Sequence, residues 1–573
     1  MTIPDYLTLA LYVAGVFAIS VVAARRTASQ KDMFAAGRQS PWWASGLSGF
    51  MTMFSANTFV VWGGIAYELG FVAVMINTCY GIAALLIGYF VAGYWNKLGV
   101  ATPAEFVQLR FGTAGLHFFT WTMLLKRILG VAASLYALAL LLVTLMPMDL
   151  TWAIIIFGAI VVIYTMMGGL WAVLMTDVLQ FIVLTVVVFL TAVLMLLGTE
   201  SFTAYKQSVP EKFFDLTAGG YGWFFLLGWV IIHFFMIGAE WAFVQRFIAV
   251  RNPGEAHKSS YLFGVMYLVT PLFWLLPPLL YRGQVGDLNK EEAYILAAQS
   301  VLPTGVLGLM VAALFSATAS MVSSQLNVFA GVLTNDFYRA LFHPGASEKT
   351  LVRVGRMFTA LLGALLVFMA IMVPKMGGAE KLIVSINSLL VVPLFAPTLW
   401  GLFSRKIGLR EMIIVALTSF FVGLALRFGI ASNPMITESH SLWEFAGSLK
   451  ENKKNVEVLV GVILPVLMLI AIEALKAGAD SRAADLARHV AKAESDRQPD
   501  TAPFDPFPGR MVMISLYVLG AWMCSIGLWG SQDRTTLFVF AGVLVALGVI
   551  VQLIIRQIQT SRANDGRTSQ SGL

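Results

Sequence analysis

Charge is scarce in this chain. Of its 573 residues only 12% are Asp, Glu, Lys or Arg, whereas 58% are hydrophobic and the mean hydropathy is +0.80. A soluble domain carries about 25% charged residues, so this composition excludes an ordinary soluble protein. Cysteine is scarce too: Cys79 and Cys524 both lie in apolar runs, where a disulfide framework is not expected. The composition therefore predicts an integral membrane protein.

The sequence also lacks the patterns that catalysis requires. It contains no recognisable nucleophile–base set, no cluster of metal ligands and no glycine loop of the phosphate-binding type. The formal net charge of +7 comes from loops between apolar runs, which gives no reason to expect a nucleic-acid partner. We therefore expect neither an enzyme nor a nucleic-acid-binding protein, and no cofactor.

Apolar runs long enough to cross a hydrocarbon core about 30 Å thick recur along nearly the whole chain. Backbone groups in lipid must be satisfied within their own segment, so these runs are expected to be helices. The first run lacks a basic leader and a small-residue cleavage site, so we expect it to be retained. The predicted spans, about fifteen in number, lie approximately at residues 4–24, 42–66, 71–95, 117–146, 151–168, 171–198, 221–245, 258–281, 304–338, 351–374, 380–403, 409–430, 456–476, 510–530 and 535–556.

Lysine and arginine concentrate in alternate loops. They cluster at residues 25–38, 246–258, 339–356 and 405–410, which all fall on one side if the predicted spans alternate in direction. Cytoplasmic loops of membrane proteins carry such an excess of positive charge. We therefore predict a multi-pass protein of the plasma or inner membrane, with its N-terminus outside and its C-terminus in the cytoplasm.

Glycine clusters interrupt two of the predicted spans. These are the second, ASGLSGFMTMFSANTFVVWGG at Ala44–Gly64, and the seventh, YGWFFLLGWVIIHFFMIGAEW at Tyr221–Trp241. The two spans are five apart, so spans two to eleven would form two five-helix halves of opposite topology, each beginning with a broken helix. In transporters of this layout, unwound backbone at mid-membrane binds solute and ion. The pattern favours a transport protein, although glycine also allows close helix packing.

Ionisable residues inside spans are costly and usually face a cavity or a partner. Here they are Lys126 and Arg127 in the fourth span, Asp177 in the sixth and Glu240 in the seventh. A transport role and a structural ion pair both explain Asp177 and Glu240, whereas Lys126 or Arg127 could instead reach the membrane surface. We interpret His233 as a hydrogen-bonded core residue.

The ninth span carries an unusual number of small polar side chains in FSATASMVSSQLNVFAGVLTNDFYR. Ser316, Ser320, Ser323 and Asn327 fall on one face of a helix, with Ser324 beside it. A hard monovalent cation prefers oxygen ligands such as hydroxyls, amides and carbonyls. Single hydroxyls often bond to their own helix, but a face of five favours an ion path.

Several motifs together resemble the solute:sodium symporters, a family that includes sodium-coupled sugar, proline, iodide and sialic-acid transporters. They occur in family order between about Asp5 and Arg410. The matching segments are FAAGRQSPWWASGLS at Phe34–Ser48, ATPAEFVQLRFG at Ala101–Gly112, YTMMGGLWAVLMTDVLQ at Tyr164–Gln180, FVQRFIAVRNPGEA at Phe243–Ala256 and SSQLNVFAGVLTNDFYR at Ser323–Arg339.

The resemblance implies an all-α, leucine-transporter-like fold of two inverted five-helix repeats, within about fifteen transmembrane helices, that couples sodium to solute uptake. The family's shared sodium site maps onto the carbonyls of Met51, Phe54 and Ala317 and the hydroxyl of Ser320. The second hydroxyl of the family falls on Met321, whose thioether is a poor ligand for a hard ion. A second ion site of some members maps onto Asp177, Ser320, Ser323 and Ser324.

The solute positions of sugar-transporting relatives correspond to Met53, Thr58, Asn77 and Glu240, of which Met53 and Glu240 depart from the expected amides. Lys126 is a further candidate, either as a partner of Glu240 or as a contact for an anionic solute. A carboxylate can accept two hydrogen bonds from a polyol or pair with an amine. A sugar or polyol is the favoured solute, and a carboxylate or amino acid is the alternative.

The expected partners are a small solute, sodium and the lipid bilayer, with no requirement for an oligomer. A sodium-independent or proton-coupled carrier is an alternative because of Met321, and a membrane solute sensor is an alternative from another class. The expected organisation is an N-terminal extra helix with an inner loop at 1–41, a ten-helix transport core at 42–403, two additional transmembrane helices at 404–476, a cytoplasmic linker at 477–509, and two C-terminal transmembrane helices with a short tail at 510–573.

Overall fold

The computed structural model describes residues 1–24, 40–100, 102–165, 170–199, 201–425, 453–495, 507–528 and 534–570. The regular secondary structure of this part of the chain is helical, apart from two isolated β-bridges, Ser40 with Val250 and Ala218 with Tyr221. It contains nine helices long and apolar enough to cross a membrane, or ten if one bent pair counts as a single span. The prediction of an all-helical, multi-pass membrane protein is confirmed, whereas the number fifteen and the inverted repeat stay predictions.

The helices of the first half are α1 Ile3–Ala24, α2 Trp42–Met53, α3 Gly63–Leu69, α4 Val72–Phe90, α5 Ala92–Lys97, α6 Pro103–Leu145, α7 Leu150–Thr165, α8 Leu170–Leu197, α9 Phe202–Ser208, α10 Trp223–Ala239, α11 Trp241–Ala249, α12 Pro253–Val269, α13 Pro271–Trp274 and α14 Leu276–Gln284.

The helices that follow are α15 Ala293–Val301, α16 Val306–Val332, α17 Glu348–Met372, α18 Gly378–Ile386, α19 Val392–Phe403, α20 Leu409–Leu424, α21 Lys453–Val458, α22 Leu464–Leu475, α23 Ser481–Ser495, α24 Phe507–Leu528 and α25 Arg534–Gln570. Short 3-10 and π-helical turns join several of them, including a 3-10 turn at Lys290–Glu292 and a π-helical turn at Thr58–Trp62.

Both predicted interruptions are present. Helix α2 ends at Met53, because Phe54 is extended (φ −89°, ψ 126°), and the chain resumes through the π-helical turn Thr58–Trp62. Helices α10 and α11 meet at Glu240, which is also extended (φ −74°, ψ 130°), with a bend of 55° between them. Each break leaves backbone groups that are free of the regular helical ladder, as a binding site within a membrane requires.

Helix α6 begins earlier than the predicted fourth span. Thr102 caps it by accepting a hydrogen bond from the backbone N–H of Glu105 (3.2 Å), and Pro103 occupies the first helical position. At Gly112 the backbone has φ 77°, which only glycine adopts without strain, and this residue divides the helix. The segment ATPAEFVQLRFG, one of the motifs that resemble the family, is therefore largely helical.

Helix α1 is fastened to the start of α16. The Oδ1 atom of Asp5 accepts hydrogen bonds from the backbone N–H groups of Gly305 (2.6 Å) and Gly308 (3.1 Å), which have no partner within the helix. Asp5 is 2% exposed, and a Cβ on Gly308 would lie 2.2 Å from the Asp5 carbonyl oxygen. Glycine at 308 is thus required by the close approach of the two helices.

The predicted linker contains a helix, α23, which packs on the bundle. Leu486 of α23 is buried, and the carboxylate of Asp480 just before it accepts a hydrogen bond from Nη1 of Arg110 (2.8 Å). The Arg110 guanidinium is fully buried and also donates to the carbonyls of Gly401 (3.1 Å) and Ser404 (3.1 Å). Arg110 therefore holds α6, the segment after α19 and the start of α23 together.

Candidate solute and ion site

Aromatic side chains from five helices and a π-helical turn meet beside the break that follows α2. The rings of Trp62 and Tyr80 have centroids 6.1 Å apart, those of Tyr80 and Tyr267 5.2 Å, and those of Phe50 and Tyr267 4.8 Å. We define the aromatic cluster by its members, Phe50, Phe54, Trp62, Tyr80, Trp229, His233, Tyr267 and Trp274. Solute pockets are lined mainly by such rings, with a few polar groups that fix orientation.

Besides two tryptophan N–H groups, two polar atoms at or next to this cluster have no hydrogen-bond partner in the described part of the chain. His233 is completely buried; its Nδ1 lies 2.8 Å from the carbonyl oxygen of Trp229, while its Nε2 is unpartnered. Asn77, one turn before Tyr80 on α4, donates to the carbonyl of Ala73 (2.9 Å), while its Oδ1 is unpartnered. Because an unsatisfied buried polar group costs about 1–3 kcal/mol, both atoms mark positions where a ligand would be stabilised.

The break after α2 rests against α16, where the ion site is predicted. The backbone N–H of Ala56 donates to Oγ1 of Thr318 (3.0 Å), which in turn donates to the carbonyl of Leu314 (2.9 Å). Thr58 lies in the π-helical turn, and its Oγ1 accepts a hydrogen bond from the N–H of Ser55 (3.4 Å). The predicted carbonyl ligands on α2 and the serines of α16 thus belong to segments in direct contact.

The predicted ion ligands are only partly described. Met51, Phe54, Ala317, Ser320 and Ser323 are all buried. The backbone N–H of Phe54 donates to the carbonyl of Met51 (3.0 Å), so one of the three predicted carbonyl ligands already accepts a bond. The half-buried Met321 packs against the apolar core. The side chains of Asp177 and Ser324, the residues Phe34–Gln39 of the first motif and Met166–Gly169 of the third lie outside the described residues.

Helices α8 and α16 run in opposite directions side by side. Gln180 of α8 donates from Nε2 to Oγ of Ser316 (2.7 Å), and 15 residues further along α8 the sulfur of Met195 lies 3.9 Å from Oγ of Ser300, which precedes α16. Asp177 is one turn before Gln180, and Ser320 is one turn after Ser316. The backbones of Asp177 and Ser320 therefore lie at the same depth, as the second predicted ion site requires.

Glu240, at the break between α10 and α11, is paired with two cations of α6. Its Oε2 lies 3.2 Å from Nζ of Lys126, and its Oε1 contacts the guanidinium of Arg127. Glu240 is 1% exposed, and the Lys126 ammonium also lies 4.9 Å from the centre of the Phe395 ring. The carboxylate is thus occupied by protein partners, and this ion pair joins the second break to α6.

The structure separates the predicted solute residues into two groups. Asn77 lies on α4, one turn before Tyr80 of the aromatic cluster, Thr58 lies in the π-helical turn that contains Trp62, and Met53 is the last residue of α2. Lys126 and Glu240 form the ion pair instead. His233 is the buried, hydrogen-bonded core residue that the sequence predicts. No signal in the sequence shows that its Nε2 is unpartnered.

A cluster of charges ties helix ends together at the predicted outer face. Nζ of Lys290 lies 2.5 Å from Oε2 of Glu68 and 2.7 Å from Oε2 of Glu380, and the Tyr221 hydroxyl donates to Oε1 of Glu380 (2.9 Å). A cavity of about 460 Å³ adjoins this cluster and is lined in part by Glu68, Tyr221 and Asn455. The cluster closes the bundle between α3, α10 and α18.

The charge of Lys290 persists across the physiological pH range. Burial lowers the pKa of Lys290, but the hydrogen bonds and charges of Glu380 and Glu68 outweigh it, so the pKa lies above its ordinary value. A raised pKa stabilises the folded state below the unfolded pKa of about 10.4, and that stabilisation is lost only when pH rises through the folded pKa.

We expect Lys290→Gln to loosen this face, because the two carboxylates would lose the cation that bridges them and keep only the nearby charge of Lys454. Half-exposed pairs contribute about 1 kcal/mol, so the open population should rise about fivefold. Cys79 is buried on α4, with its sulfur 3.5 Å from the Leu226 carbonyl oxygen, and reports on opening through its rate of alkylation in a Cys524→Ser background. The matched control is the exposed Lys375→Gln; equal rates in both variants would contradict the prediction.

Comparisons with known proteins agree with this architecture. A sequence model of the sodium:solute symporter family matches residues 33–414. The sodium/sialic acid symporter NanT of Aliivibrio fischeri is 27% identical over 449 residues, covering 74% of this chain and 87% of the relative. The sodium/glucose cotransporter of Vibrio parahaemolyticus is 28% identical over 476 residues, covering 76% and 87%.

A solved structure shares the fold. It is the substrate-bound, outward-open state of a Na⁺-coupled sialic acid symporter, with a TM-score of 0.66 and 22% identity over 84% of this chain and 99% of that one. The relatives in sequence are sodium-coupled transporters and not enzymes. From the extent of the family match, together with the broken helices and their apolar surroundings, the chain belongs to the sodium:solute symporter family.

Proposed function

We propose that this protein couples inward sodium flow to the uptake of a hydroxylated, sugar-type solute by alternating access between two inverted five-helix repeats. Membership of a sodium-coupled family supports the ion, and the named substrates of the sequence relatives support the solute class. The aromatic cluster with the unpartnered Asn77 Oδ1 and His233 Nε2 carries the proposal, because rings cover the apolar faces of a sugar while polar atoms meet its hydroxyls.

Two ion sites take part in the proposed coupling. The first is formed by the carbonyls of Met51, Phe54 and Ala317 and the hydroxyl of Ser320. The second is formed by Asp177, Ser320, Ser323 and Ser324. Sodium bound between the break and α16 would hold these segments in one arrangement and so favour solute binding at the adjoining cluster. By linkage, the solute must then raise sodium affinity by the same factor.

In the solute site, Asn77 and His233 bind hydroxyl groups, while Met53 and Thr58 shape the segment beside the cluster. Lys126 and Glu240 act by holding the break between α10 and α11 in place rather than by contacting the solute. The Glu240 carboxylate is then not available to pair with an amine of the solute, which disfavours an amino acid.

A binding screen tests this proposal. Thermal unfolding of the purified protein would be followed with sugars and polyols, short organic acids and amino acids, in sodium or in choline at equal ionic strength. Ligands that bind only the folded state raise the Tm by mass action. We expect stabilisation by a sugar or polyol that requires sodium. Stabilisation by organic acids alone, or equal stabilisation in choline, would overturn the solute class or the ion coupling respectively.

Asn77 and His233 should be essential for the affinity of the protein for its solute. Asn77→Leu and His233→Phe each remove a hydrogen bond to the solute that is worth about 1–3 kcal/mol in a dry site, so the Kd should rise about tenfold to hundredfold. Sodium-linked stabilisation without solute should persist. Thr78→Val on the same helix is the control, because the Thr78 hydroxyl donates only to the Val74 carbonyl (2.9 Å). An unaltered Kd in both variants would remove these residues from the site.

A further inference from the structure

The cavity of about 460 Å³ at the predicted outer face is built into the fold. Its walls come from the end of α3, the loop between α9 and α10, and the start of α21. Phe213 of this loop is buried, and its carbonyl accepts a hydrogen bond from the backbone N–H of Phe71 (2.8 Å). A Cβ at Gly70 would overlap that carbonyl oxygen, so the loop packs directly on the chain between α3 and α4. The volume is sufficient for a small organic ligand.

The lining of this cavity suits hydroxyl groups. Ala218, Gly219 and Gly220 present little besides backbone, because the two glycines have no side chain and adopt left-handed conformations (φ 57° and 82°). Asn455 also lines the cavity, and its Oδ1 has no hydrogen-bond partner among the residues described. Pro210 adds an apolar wall. Peptide groups and side-chain amides offer both donors and acceptors, which match the two capacities of a hydroxyl group.

The charges around the cavity already have partners within the protein. The carboxylate of Glu68 is paired with Lys290 (2.5 Å), and Nζ of Lys454 donates to the carbonyl of Gly219 (2.8 Å). Lys212, the other charged residue of the described lining, is exposed to solvent. No charge of this lining is therefore both buried and unpaired, which favours a neutral ligand over an organic acid or an amine.

A row of buried rings leads from this cavity along one face of α10. Tyr221 lines the cavity; the ring centroids of Tyr221 and Phe225 are 5.0 Å apart, and those of Phe225 and Trp229 5.1 Å. From Trp229 the row continues to His233 (4.7 Å), in the aromatic cluster. Twelve residues of helix span about 18 Å, so the cavity is separate from the solute site but connected to it by packed side chains.

We infer that this cavity is a second binding site, which takes a neutral polyhydroxylated molecule such as a sugar or polyol. The inference goes beyond the proposed transport, because the site lies outside the aromatic cluster and contains none of the predicted ion ligands. Its occupant meets Glu68 and Tyr221, two members of the charge cluster that closes the bundle. Binding therefore stabilises the closed arrangement of this face and does not require sodium.

Protection of a cysteine from alkylation tests this site. Thr217→Cys, in the full-length protein with Cys79→Ser and Cys524→Ser, places a thiol on the cavity wall. The probes are glucose and mannitol, with lactate and ethanolamine as charged counterparts, all in choline so that sodium-linked solute binding does not contribute. We expect glucose or mannitol near saturation to slow alkylation at least about threefold by mass action, and the charged probes to leave the rate unchanged.

Gly222→Trp should abolish the protection. Gly222 lines the cavity, and a Cβ there would have no heavy atom within 4 Å, so a large side chain can be added without displacing its neighbours. Leu216→Cys is the matched control, because Leu216 is exposed in the same loop but is not part of the lining. Its alkylation should respond to no probe, and an unchanged rate in the Gly222→Trp background would show that the loop keeps its fold.

Asn77→Leu distinguishes the cavity from the proposed solute site. Protection of Thr217→Cys should persist in this variant, and it should persist even if the wild type shows no sodium-linked stabilisation, so the second site and the proposed function can fail separately. Loss of protection in Asn77→Leu would overturn the inference. So would protection that survives Gly222→Trp, protection by lactate or ethanolamine alone, or no protection by any probe.

Discussion

Glu240→Gln is expected to lower the free energy of unfolding by about 3–5 kcal/mol, because it leaves Lys126 and Arg127 buried without a counter-ion. Glu240 is 1% exposed and Lys126 4% exposed, so water cannot replace the lost partner. The measurement is SDS-induced unfolding in mixed micelles. Because the ion pair holds the break between α10 and α11, the rate of solute uptake should fall as well.

A double-mutant cycle distinguishes the interaction energy of Lys126 and Glu240 from the effect of losing either side chain alone. Lys126→Met alone should cost less than Glu240→Gln, because Arg127 still neutralises the carboxylate. The double variant should recover part of the stability lost in Glu240→Gln, since one of the two unpaired cations is gone. The exposed pair of Asp485 and Arg488 on α23 gives the control, Asp485→Asn. Additive single effects would show that Lys126 and Glu240 do not interact.

Arg110→Met should have an effect of similar size through a different mechanism. The buried guanidinium donates to three backbone carbonyls, those of Gly401, Ser404 and Ile407, and to the Asp480 carboxylate. Removing it leaves a carboxylate and three acceptors without their donor, for which about 3–5 kcal/mol is expected. The same unfolding measurement applies.

A conservative change at this position should not rescue the protein. Arg110→Lys keeps the charge but replaces the planar guanidinium, which reaches several acceptors, with a single ammonium group. Most of the loss in unfolding free energy should therefore remain. Arg488→Met, at an exposed site on α23, is the control. In addition, limited proteolysis should cut near α23 faster in both Arg110 variants, because Asp480 loses its anchor. Wild-type resistance to protease would show that α23 is held by its apolar contacts alone.

Local features of the sequence predicted the fold class well. Apolar runs indicated membrane helices. The two interruptions were placed correctly because a glycine cluster disturbs a helix only within a few residues of its own position. The start of α6 was wrong, since its first turns are less apolar than the rest and resemble a loop when only hydropathy is considered. Thr102 and Pro103, a helix-start signal, would have corrected it.

Contacts between residues far apart in the chain could not be predicted from the sequence. Glu240 could have met the solute or a cation, and only the packing of α6 against α11 brings Lys126 and Arg127 to it. His233 looks like an ordinary core residue until its unpartnered atom is seen. Such facts depend on three-dimensional proximity across more than a hundred residues, which local periodicity does not encode. The ion ligands that the family motifs assign stay predictions. They are Met51, Phe54, Asp177, Ala317, Ser320, Ser323 and Ser324.

The hydrogen bonds between Asp5 and the start of α16 can form only late in the synthesis of the chain. Asp5 and Gly305 are 300 residues apart, so at about 5–20 residues per second the ribosome takes about 15–60 s to deliver the backbone groups that Asp5 will cap. Throughout that interval α1 is already made while its carboxylate still lacks its final partner. The final position of α1 therefore depends on segments made much later, first the start of α16 and then α24, whose Trp522 donates from Nε1 to the Thr8 hydroxyl (2.7 Å).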